Sequence, residues 1–258
     1  MIIAIPSAGR HHLRGSKHTA FTIPKRWRES TFIFCPSDEM PHYRRLAAQA
    51  GIAGVLADRC GGRSISRTRI NIARFATDKF MMLDDDLSFY IRDRGSIKPR
   101  LRDMSDRELD GMFNRVAKDL DKHSHVGISH REGNNHMPLP HVYNVRCTRA
   151  VAFRRDAYLE NRPTLGIMED FDVALQLLTQ GHAFKVWTLY AQNQRGTNLQ
   201  GGCSRYRSLE AQAKAARALA EKFPEFVKIR EKHTRGGLGD SLDVTVYWKK
   251  AYESSNRP

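Results

Sequence analysis

Phe80-Met81-Met82-Leu83-Asp84-Asp85-Asp86 decides the architecture, because an apolar run stops there abruptly in three carboxylates. A short run of bulky apolar residues reads as a strand buried on both faces, the kind found in parallel sheets covered by helices. Open α/β sheets bind their ligands at the carboxyl ends of the strands. The triplet therefore places negative charge at the edge where chemistry is expected.

Upstream, Ile2-Ile3-Ala4-Ile5 closed by Pro6-Ser7-Ala8-Gly9, and Thr31-Phe32-Ile33-Phe34-Cys35 closed by Pro36-Ser37-Asp38, read as two further buried strands. Gly54-Val55-Leu56-Ala57, ending in Asp58, is a third. The spacing predicts helices over 40–50, stopped by Gly51, and over 64–78, where Ile65, Ile72 and Phe75 share a face. This β-α-β-α-β order predicts a mostly parallel central sheet flanked by helices, since parallel neighbours need crossover connections.

Downstream, Ser105-Asp106-Arg107-Glu108 fits a capping box opening a helix with Leu109, Met112, Phe113, Val116 and Leu120 inward. Strand-like pieces at Val126-Gly127-Ile128 and Val151-Ala152-Phe153 flank an irregular stretch, 131–140. A helix over 170–180 turns Phe171, Ala174, Leu175 and Leu178 inward and stops at Gly181. A strand over 184–190, a polar loop over 192–202, a helix over 208–222 and a basic tail complete the chain.

With 258 residues, 40% of them hydrophobic, one domain over 1–258 is expected, with halves at 1–93 and 94–205 and a C-terminal helix and tail at 206–258. The balance of 43 Lys and Arg against 28 Asp and Glu gives +15, which predicts a polyanionic partner, nucleic acid first. Cys35, Cys60, Cys147 and Cys203 are scattered, matching neither a zinc pattern nor a disulfide framework. The N-terminal run lacks the features of a signal peptide, and no stretch reaches the roughly 18 apolar residues that span a bilayer. A cytoplasmic protein with no membrane partner is the expectation.

On extended backbone, alternate side chains point the same way, so Asp84 and Asp86 could share one divalent ion while Asp85 faces elsewhere. Hard oxygen ligands favour Mg2+ or Mn2+. A second acidic cluster, Met168-Glu169-Asp170-Phe171-Asp172, opens the helix over 170–180. Acids in a first turn serve the helix dipole, but one held beside the ligand-binding edge can also act as a general base. Arg63, Arg67 and Arg69 precede the aspartate strand, where one of them could pair with phosphate. The stretch from Arg10 to Arg28 holds Arg14, Lys17, Arg26 and Trp27 and reads as a flap or a nucleic-acid arm, with Trp27 as a core anchor. Arg195, Arg205 and Arg207 sit in a glycine-containing loop suited to phosphate.

The opening strand with Ile5-Pro6-Ser7-Ala8-Gly9-Arg10, the Arg-rich helix before Met82-Leu83-Asp84-Asp85-Asp86, and Met168-Glu169-Asp170 with Gly181-His182 resemble a GT-A fold glycosyltransferase over residues 1–190. The basic character further resembles phage-type, dioxygenase-associated DNA base glycosyltransferases. The resemblance implies a GT-A-like Rossmannoid fold, with 1–93 as the nucleotide-sugar-binding half and 94–205 as the acceptor half. It implies that Pro6, Ser7, Gly9, Arg10, Arg63, Arg67, Asp84 and Asp85 bind the donor, a UDP-sugar first among them. Asp84 and Asp86 would hold Mn2+ or Mg2+, and Asp170 would be the base of an inverting transfer, with Glu169 the competing choice. The acceptor would be a hydroxymethylated pyrimidine in DNA, held by Arg14, Lys17, Arg26, Arg195, Arg205 and Arg207. Three alternatives stay open: a glycosyltransferase acting on polysaccharide, lipid or protein, a nucleotidyltransferase, since acidic metal sites also serve phosphoryl transfer, and a basic nucleic-acid-binding protein without catalysis.

Overall fold

A computed structural model describes residues 1–13, 15–58, 64–93, 100–132, 137–194, 208–233 and 240–255. The three upstream runs form β1 (Ile2–Pro6), β2 (Thr31–Pro36) and β3 (Gly54–Asp58), and the aspartate run forms β4 (Lys79–Leu83). Between them lie a one-turn helix α1 (Lys25–Arg28), α2 (Met40–Ala50) and α3 (Ile65–Phe75). The boundaries have local causes. Gly51 adopts the left-handed conformation that closes α2, and Ser64 caps α3 by accepting the Arg67 N–H.

The second half adds β5 (Leu87–Arg92), β6 (Leu101–Asp103), α4 (Asp106–Asp119), β7 (His125–His130), β8 (His141–Tyr143), β9 (Ala150–Arg154) and α5 (Arg155–Glu160). It continues through α6 (Glu169–Thr179), β10 (Phe184–Gln194) and α7 (Leu209–Lys222). Both arms of the Ser105–Glu108 capping box form.

Ten strands make one sheet in the order β3-β2-β1-β4-β9-β7-β10-β5-β6, with β8 also on β10. The first four are parallel, as the crossover order predicts. Beyond β4 the sheet becomes mixed, because β9 inserts antiparallel between β4 and β7. β7 and β10 again run parallel, and β5 returns antiparallel against β10. The carboxyl ends of β1, β2, β3, β4, β7 and β10 therefore meet along one edge, joined there by the start of β9.

Strand alternation divides the core. Phe80 and Met82 face a cluster with Val151, Phe153, Phe171 and Leu175, while Met81 and Leu83 face Ile3, Ile5, Leu46, Met112 and Phe113. Four of these side chains in succession, Phe80 to Leu83, are at most 5% exposed, which is why the run reads as continuous hydrophobicity.

Three expectations are corrected. Phe75 is 42% exposed, lying edge-on to Phe32 and Phe34 at the rim of the sheet. The stretch from Arg10 to Arg28 is no free arm in its described residues, since His18, Thr19 and Ala20 are fully buried. Trp27 anchors it by donating its indole N–H to Asp110 at 2.9 Å. The basic tail is folded: β11 (Val227–His233) and β12 (Asp240–Val246) form an antiparallel ribbon, followed by α8 (Trp248–Ser254). Its apolar residues Val227, Val244 and Ala251 are buried.

Candidate active site

Asp84, Asp85 and Asp86 leave β4 at the ligand-binding edge, but they do not continue its alternation. The strand ends at Leu83, and a turn carries Asp85 and Asp86 together onto one guanidinium. Arg10 Nη1 donates to Asp85 Oδ1 at 2.6 Å and to Asp86 Oδ2 at 2.8 Å. Ser7 Oγ donates to Asp85 Oδ2 at 2.5 Å and lies 2.7 Å from the Tyr43 hydroxyl. Asp85 is thus saturated from the β1 loop and fully enclosed. Burial pushes its carboxyl up in pKa, opposed by Arg10 and Ser7.

Thr19 fixes the backbone of the turn. Its N–H donates to the Asp85 carbonyl at 2.8 Å, its hydroxyl donates to the Asp84 carbonyl at 2.6 Å, and that hydroxyl accepts the Leu87 N–H. On the far side the Asp84 N–H donates to the carbonyl of Arg149, whose φ of 70° is rare for a residue with a side chain. Gly9, at φ 69°, donates its N–H to Glu39 Oε2 at 2.5 Å, and the Arg10 N–H donates to the Tyr43 hydroxyl. Pro6 closes β1 opposite Phe34. The β1 loop expected to face the donor is therefore also the clamp on the triplet.

Asp84 is different. Its side chain is 30% exposed, the outermost carboxylate of the three, and its nearest cation is Arg69, 3.8 Å away. Burial, with repulsion from Asp86 and Asp85, pushes its carboxyl up to about 7 against the pull of Arg69. Asp86 is nearly sealed, with Oδ2 held by Arg10 and by the Gln194 amide at 3.2 Å. Its Oδ1 has no hydrogen-bond partner among the described residues. An open Asp84 and an unpartnered Asp86 oxygen are a donor set that fits a hard divalent cation. Among the described residues no three His, Cys, Asp or Glu side chains form a cage, so such an ion would draw its remaining ligands from substrate and water.

The second acidic segment enters the same space. Met168, at φ 61°, precedes α6 in the left-handed conformation and swings its first turn toward β4. Glu169 is 4% exposed and paired with Arg69, Nη1 to Oε1 3.1 Å. Asp170 is half-buried, accepts its own neighbour's N–H from Phe171 at 3.0 Å, and lines a small, mostly apolar cleft with Arg69, Arg149, Met82, Cys147, His125 and Phe184. Asp172 is fully buried and turned the other way.

The remaining expected residues distribute unevenly. Arg67 is exposed on α3 while Arg69, two positions on, turns inward to the carboxylates. Lys17 is exposed, and Arg26 is exposed with a loose contact of 3.8 Å to Asp110. Arg14, Arg63, Arg195, Arg205 and Arg207 lie outside the described residues. Cys35 and Cys147 are buried free thiols, Cys35 pushed up to about 12 by burial, and Cys60 and Cys203 lie outside the described residues. Sequence reasoning missed the roles of Tyr43, Thr19, Arg149 and Gln194, whose positions are set by long-range contacts. Arg69 was legible only as one of three arginines on a helix. No described helix is long and apolar enough to cross a membrane.

The family model for TET-Associated Glycosyltransferase matches residues 1–202. Among solved structures, the fold is similar to a mycobacterial protein (11% identity, 95% of this chain and 83% of that chain, TM-score 0.53). It is also similar to the inositol-1-phosphate CTP transferase from T. maritima (9% identity, 86% and 96%, TM-score 0.50) and to S. aureus TarS 1–349 in complex with UDP (11% identity, 87% and 66%, TM-score 0.51). The search of curated proteins found no match.

Proposed function

The chain belongs to the TET-associated glycosyltransferase family, and on that premise we propose that it moves a sugar from a nucleotide-sugar donor to the hydroxyl of a hydroxymethylated pyrimidine in DNA. Family membership makes the chain a glycosyltransferase and removes the reading as a non-catalytic binding protein. The observation that carries the finer reading is Arg69, which reaches Asp84 at 3.8 Å, pairs with Glu169 at 3.1 Å and lines the same cleft as Asp170.

In this reading Asp170 is the general base. Glu169 is buried against Arg69, whereas Asp170 is the half-buried carboxylate on the cleft. Asp170 takes the proton of the acceptor hydroxyl, whose oxygen attacks the anomeric carbon as the bond from that carbon to the diphosphate breaks, inverting the configuration. Asp84 and Asp86 would hold Mn2+ or Mg2+, which neutralises the leaving diphosphate when bound. Arg69 holds Glu169 and steadies Asp84 at the same edge. The UDP complex of the structural relative TarS supports a UDP-sugar as donor.

Charge and access support this acceptor. An excess of +15 favours a polyanion, and a base inside a duplex must be flipped out to reach a half-buried carboxylate such as Asp170. Lys17 and Arg26 are exposed cations available to the backbone, with Arg14, Arg195, Arg205 and Arg207 as further candidates. The test is incubation with Mn2+, a panel of nucleotide sugars and DNA containing hydroxymethylcytosine or hydroxymethyluracil, followed by nucleoside mass analysis. A sugar-mass adduct is expected. Transfer to polysaccharide, lipid or protein acceptors with none to DNA would overturn the acceptor.

A further inference from the structure

Resting on the assignment of Asp170 as the base, we infer that Lys222 is a positioning residue for the catalytic start of α6, acting through Asp172 from outside the family match. Asp172 is fully buried and collects five donors. Its Oδ2 accepts the Thr164 N–H at 2.7 Å, the Thr164 hydroxyl at 2.9 Å and the Leu165 N–H at 3.3 Å. Its Oδ1 accepts the Gln176 amide at 3.0 Å and the Lys222 ammonium at 2.6 Å. Lys222 also donates to Thr164 Oγ1 at 3.0 Å, closing a ring of Lys222, Asp172 and Thr164.

This ring controls a short lever. Residues 164 and 165 open the loop that leads to Met168, and the Asp172 N–H donates back to the Met168 carbonyl at 3.0 Å. Met168 holds the left-handed backbone conformation from which Glu169 and Asp170 depart toward the cleft. A left-handed residue with a side chain persists only when its surroundings over-determine it. Asp172 supplies that constraint on both sides of Met168, and Lys222 is its one ammonium partner among the described residues.

Lys222 ends α7, and the next layer repeats the connection: Trp248, which opens α8, packs edge-on against Phe171 with ring centroids 5.2 Å apart. Both residues lie beyond residue 202, where the family match ends. The module of α7, β11, β12 and α8 is thus fastened to the two residues that follow the base, Phe171 and Asp172, and to Thr164 in the loop before it.

The experiment compares wild type, Lys222→Met and Lys222→Arg. Amide hydrogen exchange over residues 164–172, read without substrate, should quicken in Lys222→Met and return toward wild type in Lys222→Arg. With substrates, kcat should fall about tenfold to a hundredfold in Lys222→Met while KM for the donor holds, because a displaced base costs rate rather than donor binding. Lys222→Arg should recover most of kcat. Unchanged exchange, or lost protection with unchanged kcat, would overturn the inference. A wild-type protein inactive on DNA would instead refute the acceptor, while exchange still judges the clamp. Should Lys222→Met fail to fold, Lys222→Gln, which keeps an N–H donor without the charge, carries the same readouts.

Discussion

Arg69 and Glu169 form a buried ion pair, Nη1 to Oε1 3.1 Å, that ties the helix before the aspartate strand to the first turn of α6. The two residues are a hundred positions apart and their side chains are 12% and 6% exposed. The same guanidinium reaches Asp84 at 3.8 Å, so one cation touches both acidic segments. Coulombic attraction from Glu169, Asp170 and Asp84 outweighs burial and keeps Arg69 charged.

Removing that cation leaves carboxylates without compensation. Arg69→Met is expected to lower stability by about 3–5 kcal/mol, the cost of breaking a buried pair from one side. Urea unfolding followed by fluorescence measures it, and a loss below about 1 kcal/mol would mean that the pair is solvated rather than buried.

Asp170→Asn and Glu169→Gln should separate chemistry from structure. Asp170→Asn is expected to fold normally, bind DNA and lose transfer. Glu169→Gln is expected to lower the melting temperature through Arg69 while retaining measurable turnover. Near-normal turnover in folded Asp170→Asn would remove Asp170 as the base.

The triplet divides in the same way. Asp84→Ala should leave the fold intact and abolish Mn2+-dependent donor binding, because this is the outermost carboxylate. Asp85→Ala should act first on stability, since it strands Ser7 and half of the Arg10 contacts, at about 1–3 kcal/mol. Calorimetric donor titrations beside melting curves for both variants would show whether the roles are reversed.

Acid sensitivity has a specific source in His125. It is fully buried between Phe184 and Phe153, neither ring nitrogen has a hydrogen-bond partner among the described residues, and burial pulls its pKa down to about 3. The unfolded chain binds a proton near the ordinary 6.5 and the folded one does not, so stability is full above that value and declines as pH falls from 6.5 toward 3. His130, pulled down to about 4, adds to the same trend. His125→Phe should flatten the decline by up to about 1.4 kcal/mol per pH unit, and an unchanged pH dependence of urea midpoints would contradict it.

Ser105→Ala opens the capping box of α4. A loss of about 1 kcal/mol is expected, with no change in donor binding, because Leu109, Met112, Phe113 and Val116 place this helix under the opposite face of the sheet from α6.

Much of the fold was legible because its signals are local. The Phe80–Leu83 run, the Gly51 and Gly181 stops, and the Ser105–Glu108 box each depend on neighbours in the chain, and each stands in the structure as expected. The mixed second half of the sheet was not legible. Nothing local to Val151-Ala152-Phe153 says that it pairs antiparallel between β4 and β7. The C-terminal ribbon is different: Val227 and Ile229, and Leu242, Val244 and Val246, alternate with polar residues as half-buried strands do, so its pattern is present in the sequence beneath the charge that makes the segment look like a tail.

By itself the sequence determined where the carboxylates stand: at the end of one buried strand and at the start of one helix, because hydrophobic periodicity and helix stops fix elements locally. Tertiary structure decided what each carboxylate does. The turn after Leu83 delivers Asp85 and Asp86 to Arg10 and leaves Asp84 open, α3 brings Arg69 onto Glu169, and α7 brings Lys222 onto the buried Asp172. These assignments depend on which cations arrive from 50 to 100 residues away, and burial makes their pairing obligatory.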